Sequence, residues 1–181
     1  MADWVLAVER AYVAAATRQF PRKGGTDVAR ARAAVGAIAS RYLAVGTPRT
    51  LGLIADAAAI DEAALSVTAH RTWFAPRDVR CTDAAVAHGV GGALASLGEA
   101  LACDIICVHT TVEVRAAQLR RGTHVNLFAG TIDDDLRRLA SVTEESGLGA
   151  LAAGLVDGRQ LDELTVFIAG DLQVALGALH S

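Results

Sequence analysis

The polar residues best placed for chemistry are a histidine and two threonines that follow an apolar run. The mainly apolar segment 103–109 ends on His109, and Thr110 and Thr111 come next. Such a run is typical of a strand buried on both faces of a parallel sheet, and open parallel sheets bind ligands outside the carboxyl ends of their strands. Because imidazole titrates near neutral pH, His109 could act there as a general acid or base. A histidine that only bonds a loop carbonyl is the commoner case, so both interpretations stay open.

The elements that must position these residues alternate along the chain. Apolar runs predict strands over 50–55, 78–83, 103–109, 123–129 and 165–169. Helical spacing and capping residues predict helices over 3–18, 28–44, 57–70, 94–101, 133–139 and 171–179. Residues 84–102 are expected to begin as a glycine-spaced loop before the helix at 94–101.

Strands that alternate with helices imply parallel βαβ units with right-handed crossovers. We therefore expect an α/β fold, a Rossmann-like parallel sheet flanked by helices. At 181 residues the chain has the size of one domain over 1–181. Two helices would lie in residues 1–46, and the sheet core with its closing helix in residues 47–181.

Composition excludes several classes of partner. The net charge is -3, and lysine and arginine are scattered along the sequence, so we expect no nucleic acid partner. Three cysteines within apolar segments suit a reduced, cytoplasmic protein, and Cys103 and Cys107 lack the second pair of ligands that a zinc site needs. No uncharged apolar run is long enough to cross a bilayer, and the N-terminus does not read as a signal peptide.

Three blocks of the sequence resemble the ornithine cyclodeaminase and mu-crystallin family. They are RYLA with RTLGLI at 41–54, GTHVN at 122–126 and DELTVF at 162–167. The blocks occur in the family's order within about residues 33–179, which is more specific than one motif. The resemblance implies a Rossmann domain with a nicotinamide cofactor, and amino acids, keto acids or cyclic imines as substrates.

Two features depart from that family. Its members carry an N-terminal domain of strands and helices that forms the dimer and part of the active site. Only about 30 residues precede the resembling region, so we expect that domain to be lacking. The phosphate loop, Gly-x-Gly-x-x-Gly in the family, reads ADAAAI at 55–60, with Ala55 and Ala57 in place of glycines that would lie against the cofactor. Asp56 adds a negative charge, and repulsion at ~4 Å and an effective dielectric of about 20 is on the order of 4 kcal/mol.

Other site residues follow from position or from the resemblance. Asp83 ends the strand 78–83, where dinucleotide-binding domains place the acid that accepts from the ribose; it could equally be a strand-end acid that starts a turn. Asp133 is the residue nearest to the family's catalytic aspartate, offset by one position, and could equally be a helix cap. The family's helical arginine falls on Ala31, between Arg30 and Arg32, so neither arginine inherits its role.

The remaining polar residues have simpler interpretations. We expect His124 to be structural and His70 and His180 to lie on the surface. Asp133, Asp134 and Asp135 should form a solvated helix start, which is weak evidence for calcium.

Two functional hypotheses remain. In the first, the chain is a diverged relative of the cyclodeaminases without standard NAD-dependent redox chemistry, which binds a small amino-acid- or imine-like ligand or a partner, or performs a non-redox step. In the second, it is an active NAD(P)-dependent oxidoreductase or cyclodeaminase with an altered loop. Apolar surface on the helix 28–44 further suggests a homodimer or a partner protein that covers it.

Overall fold

A computed structural model describes residues 2–15, 28–155, 163–170 and 172–180 of the chain. Several expectations fall outside these ranges. They concern the end of the first helix at 16–18, the Pro-Gly break at 20–25 with its capping residues, the first residue of the DELTVF block, and the start of the last helix at Asp171.

The described residues alternate between strands and helices as the sequence predicts. The strands are β1 (Thr50–Ile54), β2 (Asp78–Cys81), β3 (Ala93–Leu94), β4 (Ile105–Val108), β5 (Glu113–Val114), β6 (His124–Leu127), β7 (Thr131–Ile132), β8 (Ser141–Glu144) and β9 (Thr165–Ile168). The helices are α1 (Asp3–Ala15), α2 (Val28–Leu43), α3 (Ile60–His70), α4 (Ala84–Val90), α5 (Leu97–Leu101), α6 (Asp134–Leu139), α7 (Glu145–Ala152) and α8 (Gln173–Leu179). Short 3₁₀ turns lie at Ala57–Ala59 and Ala116–Gln118.

Seven strands form one sheet in the order β3-β2-β1-β4-β6-β9-β8, and every neighbouring pair is parallel. The chain leaves β1 toward β2 on one side and later returns to β4 on the other, so the order reverses between β1 and β4. A second small parallel sheet pairs β5 with β7 beyond the carboxyl ends of β4 and β6. The predicted Rossmann-like α/β architecture is confirmed.

The central strands are buried because helices cover both faces of the sheet. All residues of β4 and β6 are buried, as are four of the five residues of β1. Gly52 in β1 is required by packing, since a Cβ there would overlap the carbonyl oxygen of Ala100 in α5. The sheet can therefore approach α5 closely only at a residue without a side chain.

Short elements account for most of what the sequence pattern missed. Residues 84–93 were expected to be a loop, but Asp83 caps α4 there and β3 pairs with β2. The next helix begins at Leu97 rather than Leu94, because Ser96 and Glu99 form a capping box. The edge strand β8 was also missed, since its half-exposed residues show no apolar run.

The apolar face of α2 is covered by other elements of the same chain rather than by a partner, and whether the protein forms a dimer through another surface stays a prediction. Ten of its sixteen residues are buried, and α1, α3, α7 and α8 of the same chain pack against the helix. Tyr12 of α1 donates a hydrogen bond to the buried carboxylate of Glu145, and Arg41 of α2 forms a 2.6 Å ion pair with Glu9 of α1. A second copy is not needed to bury this surface.

None of the described helices combines the length and the apolar character that a membrane span requires.

The close approach of β1 and α5 yields a stability prediction. We expect Gly52→Ala to lower the free energy of unfolding by about 3 kcal/mol, the upper end of what overpacking costs, because the new methyl group meets backbone rather than a flexible side chain. Gly98→Ala in α5 is the matched control: the space around it is open, and alanine stabilises a helix by up to ~1 kcal/mol relative to glycine. Urea denaturation of both variants measures the difference, and an equal effect in the two would contradict the packing argument.

Candidate functional site

The candidate site lies where the strand order reverses, at the carboxyl ends of β1 and β4. Open α/β sheets bind their ligands at such a switch point because the loops there diverge to opposite faces and leave a crevice. Ala55 and Asp56 follow β1, and His109 and Thr110 follow β4. The His109 N–H donates to the carbonyl oxygen of Ile54 at 2.8 Å, which fixes the two strand ends side by side.

Asp56 occupies the turn that corresponds to the phosphate loop. Its backbone is extended (φ -109°, ψ 177°), and its Oδ1 accepts a 3.0 Å hydrogen bond from the N–H of Ala58. Its Oδ2 accepts a 3.0 Å hydrogen bond from the Thr110 hydroxyl. The Asp56 carboxylate thus caps the helical start and also links the loops after β1 and β4.

The two alanines of this turn have different environments. Ala55 is buried, its N–H donates to the Thr82 hydroxyl at 3.3 Å, and that hydroxyl lies 3.2 Å from the Ala55 carbonyl oxygen. Ala57 is exposed and begins the 3₁₀ turn that leads into α3. Thr111 is exposed next to Thr110. Hydrogen bonds therefore join Ala55 to the end of β2, while Ala57 and Thr111 face solvent.

His109 is held inside the domain rather than at its surface. Its side chain is 0% exposed, and its ring stacks on Phe128 with centroids 4.8 Å apart. Nε2 lies 3.1 Å from the Ser66 hydroxyl, and Nδ1 lies 3.8 Å from Oε2 of Glu62. That separation is longer than a hydrogen bond, and Nδ1 has no hydrogen-bond partner among the described residues.

Glu62 joins His109 to the solvent. Contact with His109 lowers the pKa of the Glu62 carboxyl, burial partly opposes this, and Arg32 at 3.5 Å lowers the pKa further. The carboxylate is therefore ionised at neutral pH, with Arg32 on one side and His109 on the other.

Glu62 and Ser66 were missed by the sequence analysis. Their spacing of four residues on α3 could have indicated them, since it places both side chains on one helix face.

Asp83 and Asp133 both cap helices. Oδ1 of Asp83 accepts from the N–H groups of Ala85 and Val86 at the start of α4. Oδ1 of Asp133 accepts from Leu136 at 2.8 Å and from Ala116 at 3.2 Å. The structural interpretations therefore describe contacts that both carboxylates make: Asp83 as an acid at the end of a strand, and Asp133 as a helix cap. Their roles toward a ligand stay predictions.

A buried polar network lies between α2, α3 and the central strands. The expectation that His70 lies on the surface was wrong: it is 1% exposed, with Nδ1 2.7 Å from the Ser66 carbonyl oxygen and Nε2 2.9 Å from the Ser40 hydroxyl. The Asn126 amide donates to the same hydroxyl at 2.9 Å, and its Oδ1 lies 3.1 Å from Nε2 of His124. His124 is thus structural, as expected, and His180 is exposed.

One part of this network brings together a cysteine, a histidine and an asparagine, which are the residue types of a cysteine nucleophile site. The cysteine is not activated there. Cys107 Sγ lies 4.0 Å from Nε2 of His70 and 3.6 Å from the Asn126 amide nitrogen. Burial raises the pKa of the Cys107 thiol to about 12 and lowers the pKa of His70 to about 4. Both groups are therefore neutral at pH 7, and the thiolate that such catalysis requires is not formed.

A search for three or more metal-ligating side chains in the described ranges finds no cluster that could hold an ion.

The burial of His70 predicts a pH dependence of stability. Its pKa falls from 6.5 in the unfolded chain to about 4 in the folded protein, so only the unfolded state binds this proton between those values. The contribution is fully present above pH 6.5 and is lost as the pH falls toward about 4, by an amount on the order of 3 kcal/mol. Urea denaturation across this window should show a smaller loss for His70→Gln than for the wild type, and parallel curves would contradict the assignment.

Comparison with known proteins supports the fold. No family model matches the chain, and no curated protein matches it. Among solved structures, the chain is similar to a probable ornithine cyclodeaminase from Bordetella pertussis Tohama I, with a TM-score of 0.75 and 19% identity over 86% of this chain and 64% of that one. It is also similar to an archaeal alanine dehydrogenase dimer with bound NAD (TM-score 0.73, 23% identity, 82% and 60%).

A third similar structure is the Δ(1)-pyrroline-2-carboxylate reductase of Thermococcus litoralis in complex with NADH and L-proline (TM-score 0.72, 19% identity, 84% of this chain and 62% of that one). The structural relatives are thus the cyclodeaminase and alanine dehydrogenase type of enzyme that the three sequence blocks resemble. At these identities the similarity establishes the shared fold. The chain spans 60–64% of the length of these three proteins.

Proposed function

We propose that this chain is a diverged, ornithine cyclodeaminase-like domain that has lost standard NAD-dependent redox chemistry. It binds a small amino-acid- or imine-like ligand, or performs a non-redox step, at the carboxyl edge of the sheet. The observation that carries the proposal is the position of the Asp56 carboxylate, which bonds the Ala58 N–H and the Thr110 hydroxyl.

A dinucleotide does not fit this turn as it stands. Its pyrophosphate would need free N–H groups at the helix start and a backbone it can approach closely. The Ala58 N–H already donates to Asp56, and the exposed methyl group of Ala57 crowds the approach. The bound phosphate would also repel Asp56 by about 1 kcal/mol in water and ~4 kcal/mol at an effective dielectric of about 20. Because Asp56 is exposed, solvent screening favours the smaller repulsion energy. The remaining loss of dinucleotide affinity comes from the occupied Ala58 N–H and from steric crowding.

His109 is the group we propose for acid–base chemistry in a non-redox step. If Nδ1 carried a lone pair, it would face the ionised carboxylate of Glu62, so we assign the proton to Nδ1 and let the Ser66 hydroxyl donate to Nε2. In this tautomer the basic lone pair is on Nε2, so His109 can take up a proton there through the Ser66 hydroxyl and return it, while the Glu62 carboxylate stabilises the imidazolium. Asp133 stays the second candidate carboxylate, because both of its hydrogen bonds given above use Oδ1 and leave Oδ2.

The active alternative is an NAD(P)-dependent imine or amino-acid oxidoreductase or a cyclodeaminase. It is favoured by the structural relatives described as holding NAD or NADH. In that case Asp83 would accept from the ribose, and Thr110, Thr111, Ala55 and Ala57 would line the cofactor. Under either alternative we place the protein in the reducing cytoplasm, since its three cysteines are free thiols.

Fluorescence titration with NADH and NADPH tests the proposal. We expect no saturable binding to the wild type up to about 1 mM. The variant Ala55→Gly/Asp56→Ser/Ala57→Gly should bind at least about tenfold more tightly than the wild type, because serine keeps the helix cap while the charge and two methyl groups are removed.

The control variant is Asp134→Ser, which removes an exposed carboxylate from the first turn of α6 and gives the same charge change as Asp56→Ser. It should behave as the wild type does. Micromolar binding by the wild type would overturn the proposal. A triple variant that gains no affinity would show that the loop is not the cause of exclusion.

A further inference from the structure

The amino edge of the sheet collects arginines that are scattered in the sequence. Arg77 precedes β2, Arg49 precedes β1, and Arg120 and Arg121 precede β6 by a few residues. All four side chains are exposed. Because every strand of the sheet is parallel, their amino ends share one edge, opposite to the candidate site. We call these four residues the amino-edge arginine surface.

Contacts at this edge show that the surface is continuous. The Arg77 N–H donates to the Arg49 carbonyl oxygen at 2.8 Å, and the Arg49 N–H donates to Oδ2 of Asp104 at 2.9 Å. Arg120 donates from Nη2 to Oδ1 of the same Asp104 at 3.5 Å. These contacts follow the strand order β2-β1-β4-β6, so the surface crosses three strand spacings of about 4.8 Å each, or roughly 14 Å.

Nearby acids neutralise only part of this surface. Asp104 is paired with Arg120, and Asp78 is paired with Arg80 at 2.7 Å. Among the residues that the structure describes, Arg49, Arg77 and Arg121 form no ion pair.

We propose that the amino-edge arginine surface docks an acidic segment of a partner protein. Guanidinium groups match carboxylates in a bidentate geometry, and an extended acidic segment presents carboxylates on one side about every 6.8 Å, so a few of them fit the length of the surface. Single-stranded nucleic acid fits less well. The large hydrophobic residues exposed in the described ranges are all aliphatic and offer no stacking platform, and a net charge of -3 disfavours a long polyanion.

Fluorescence anisotropy with a labelled peptide of alternating Glu and Gly, about 12 residues long, tests this proposal. We expect saturable binding at about 20 mM salt that weakens by about 150 mM, as charge screening requires. Arg49→Gln/Arg77→Gln/Arg121→Gln should weaken binding by about tenfold or more. The Arg49 and Arg77 contacts given above use backbone atoms, so the variant should keep the wild-type unfolding midpoint.

Arg30→Gln/Arg115→Gln/Arg138→Gln is the matched control, because it removes three exposed arginines elsewhere with the same change in net charge. It should keep nearly all of the affinity. An equal loss in both triple variants, or no binding of the peptide at low salt, would overturn the proposal. Tighter binding of an oligo(dT) strand of equal length would reassign the surface to nucleic acid. Salt-sensitive self-association without peptide binding would reassign it to a second copy of the chain.

Discussion

Asp56 follows β1 at the point where the strand order reverses. It links this strand end to the first turn of the next helix and to the loop after β4. Its carboxylate holds the first turn of the helix after β1 through the Ala58 N–H, and it holds the loop after β4 through the Thr110 hydroxyl. A glycine-rich turn leaves such N–H groups for a bound anion. Here a covalently attached carboxylate takes that position, so the helix is capped without a ligand.

The other polar residues of the candidate site lie close to the Asp56 carboxylate. His109 follows β4 immediately before Thr110, and its backbone N–H bonds the end of β1. Glu62 and Ser66 lie beside its two ring nitrogens on α3, the helix that follows the 3₁₀ turn capped by Asp56. The contact that we propose to disfavour a pyrophosphate therefore lies directly beside His109, which has a carboxylate and a hydroxyl next to its ring.

The sequence predicted the elements with strong apolar patterns. Runs such as Leu51–Ile54 and Ile105–Val108 became fully buried strands, because their side chains face helices on both sides of the sheet. It did not predict β3 or β8, since short edge strands depend on pairing with a neighbour rather than on their own pattern.

The site was predictable in part. Position after a strand correctly placed Asp56, His109 and Thr110 at the carboxyl edge of the sheet, and their roles toward a ligand stay predictions. Burial of His70 depended on polar partners, Ser40 and Asn126, that are distant in sequence. The arginines of the amino-edge arginine surface are far apart in the sequence. Their proximity could not be predicted before the strands were known to be parallel, with their amino ends along one edge. Contacts between residues far apart in the chain, rather than local propensity, decide these features.

The most direct test is a crystal structure of the protein grown in the presence of saturating NADH. We predict no density for a pyrophosphate against residues 55–60, with Oδ1 of Asp56 still on the Ala58 N–H and Oδ2 on the Thr110 hydroxyl. Density for a dinucleotide at that turn, with the Asp56 side chain displaced, would contradict the account.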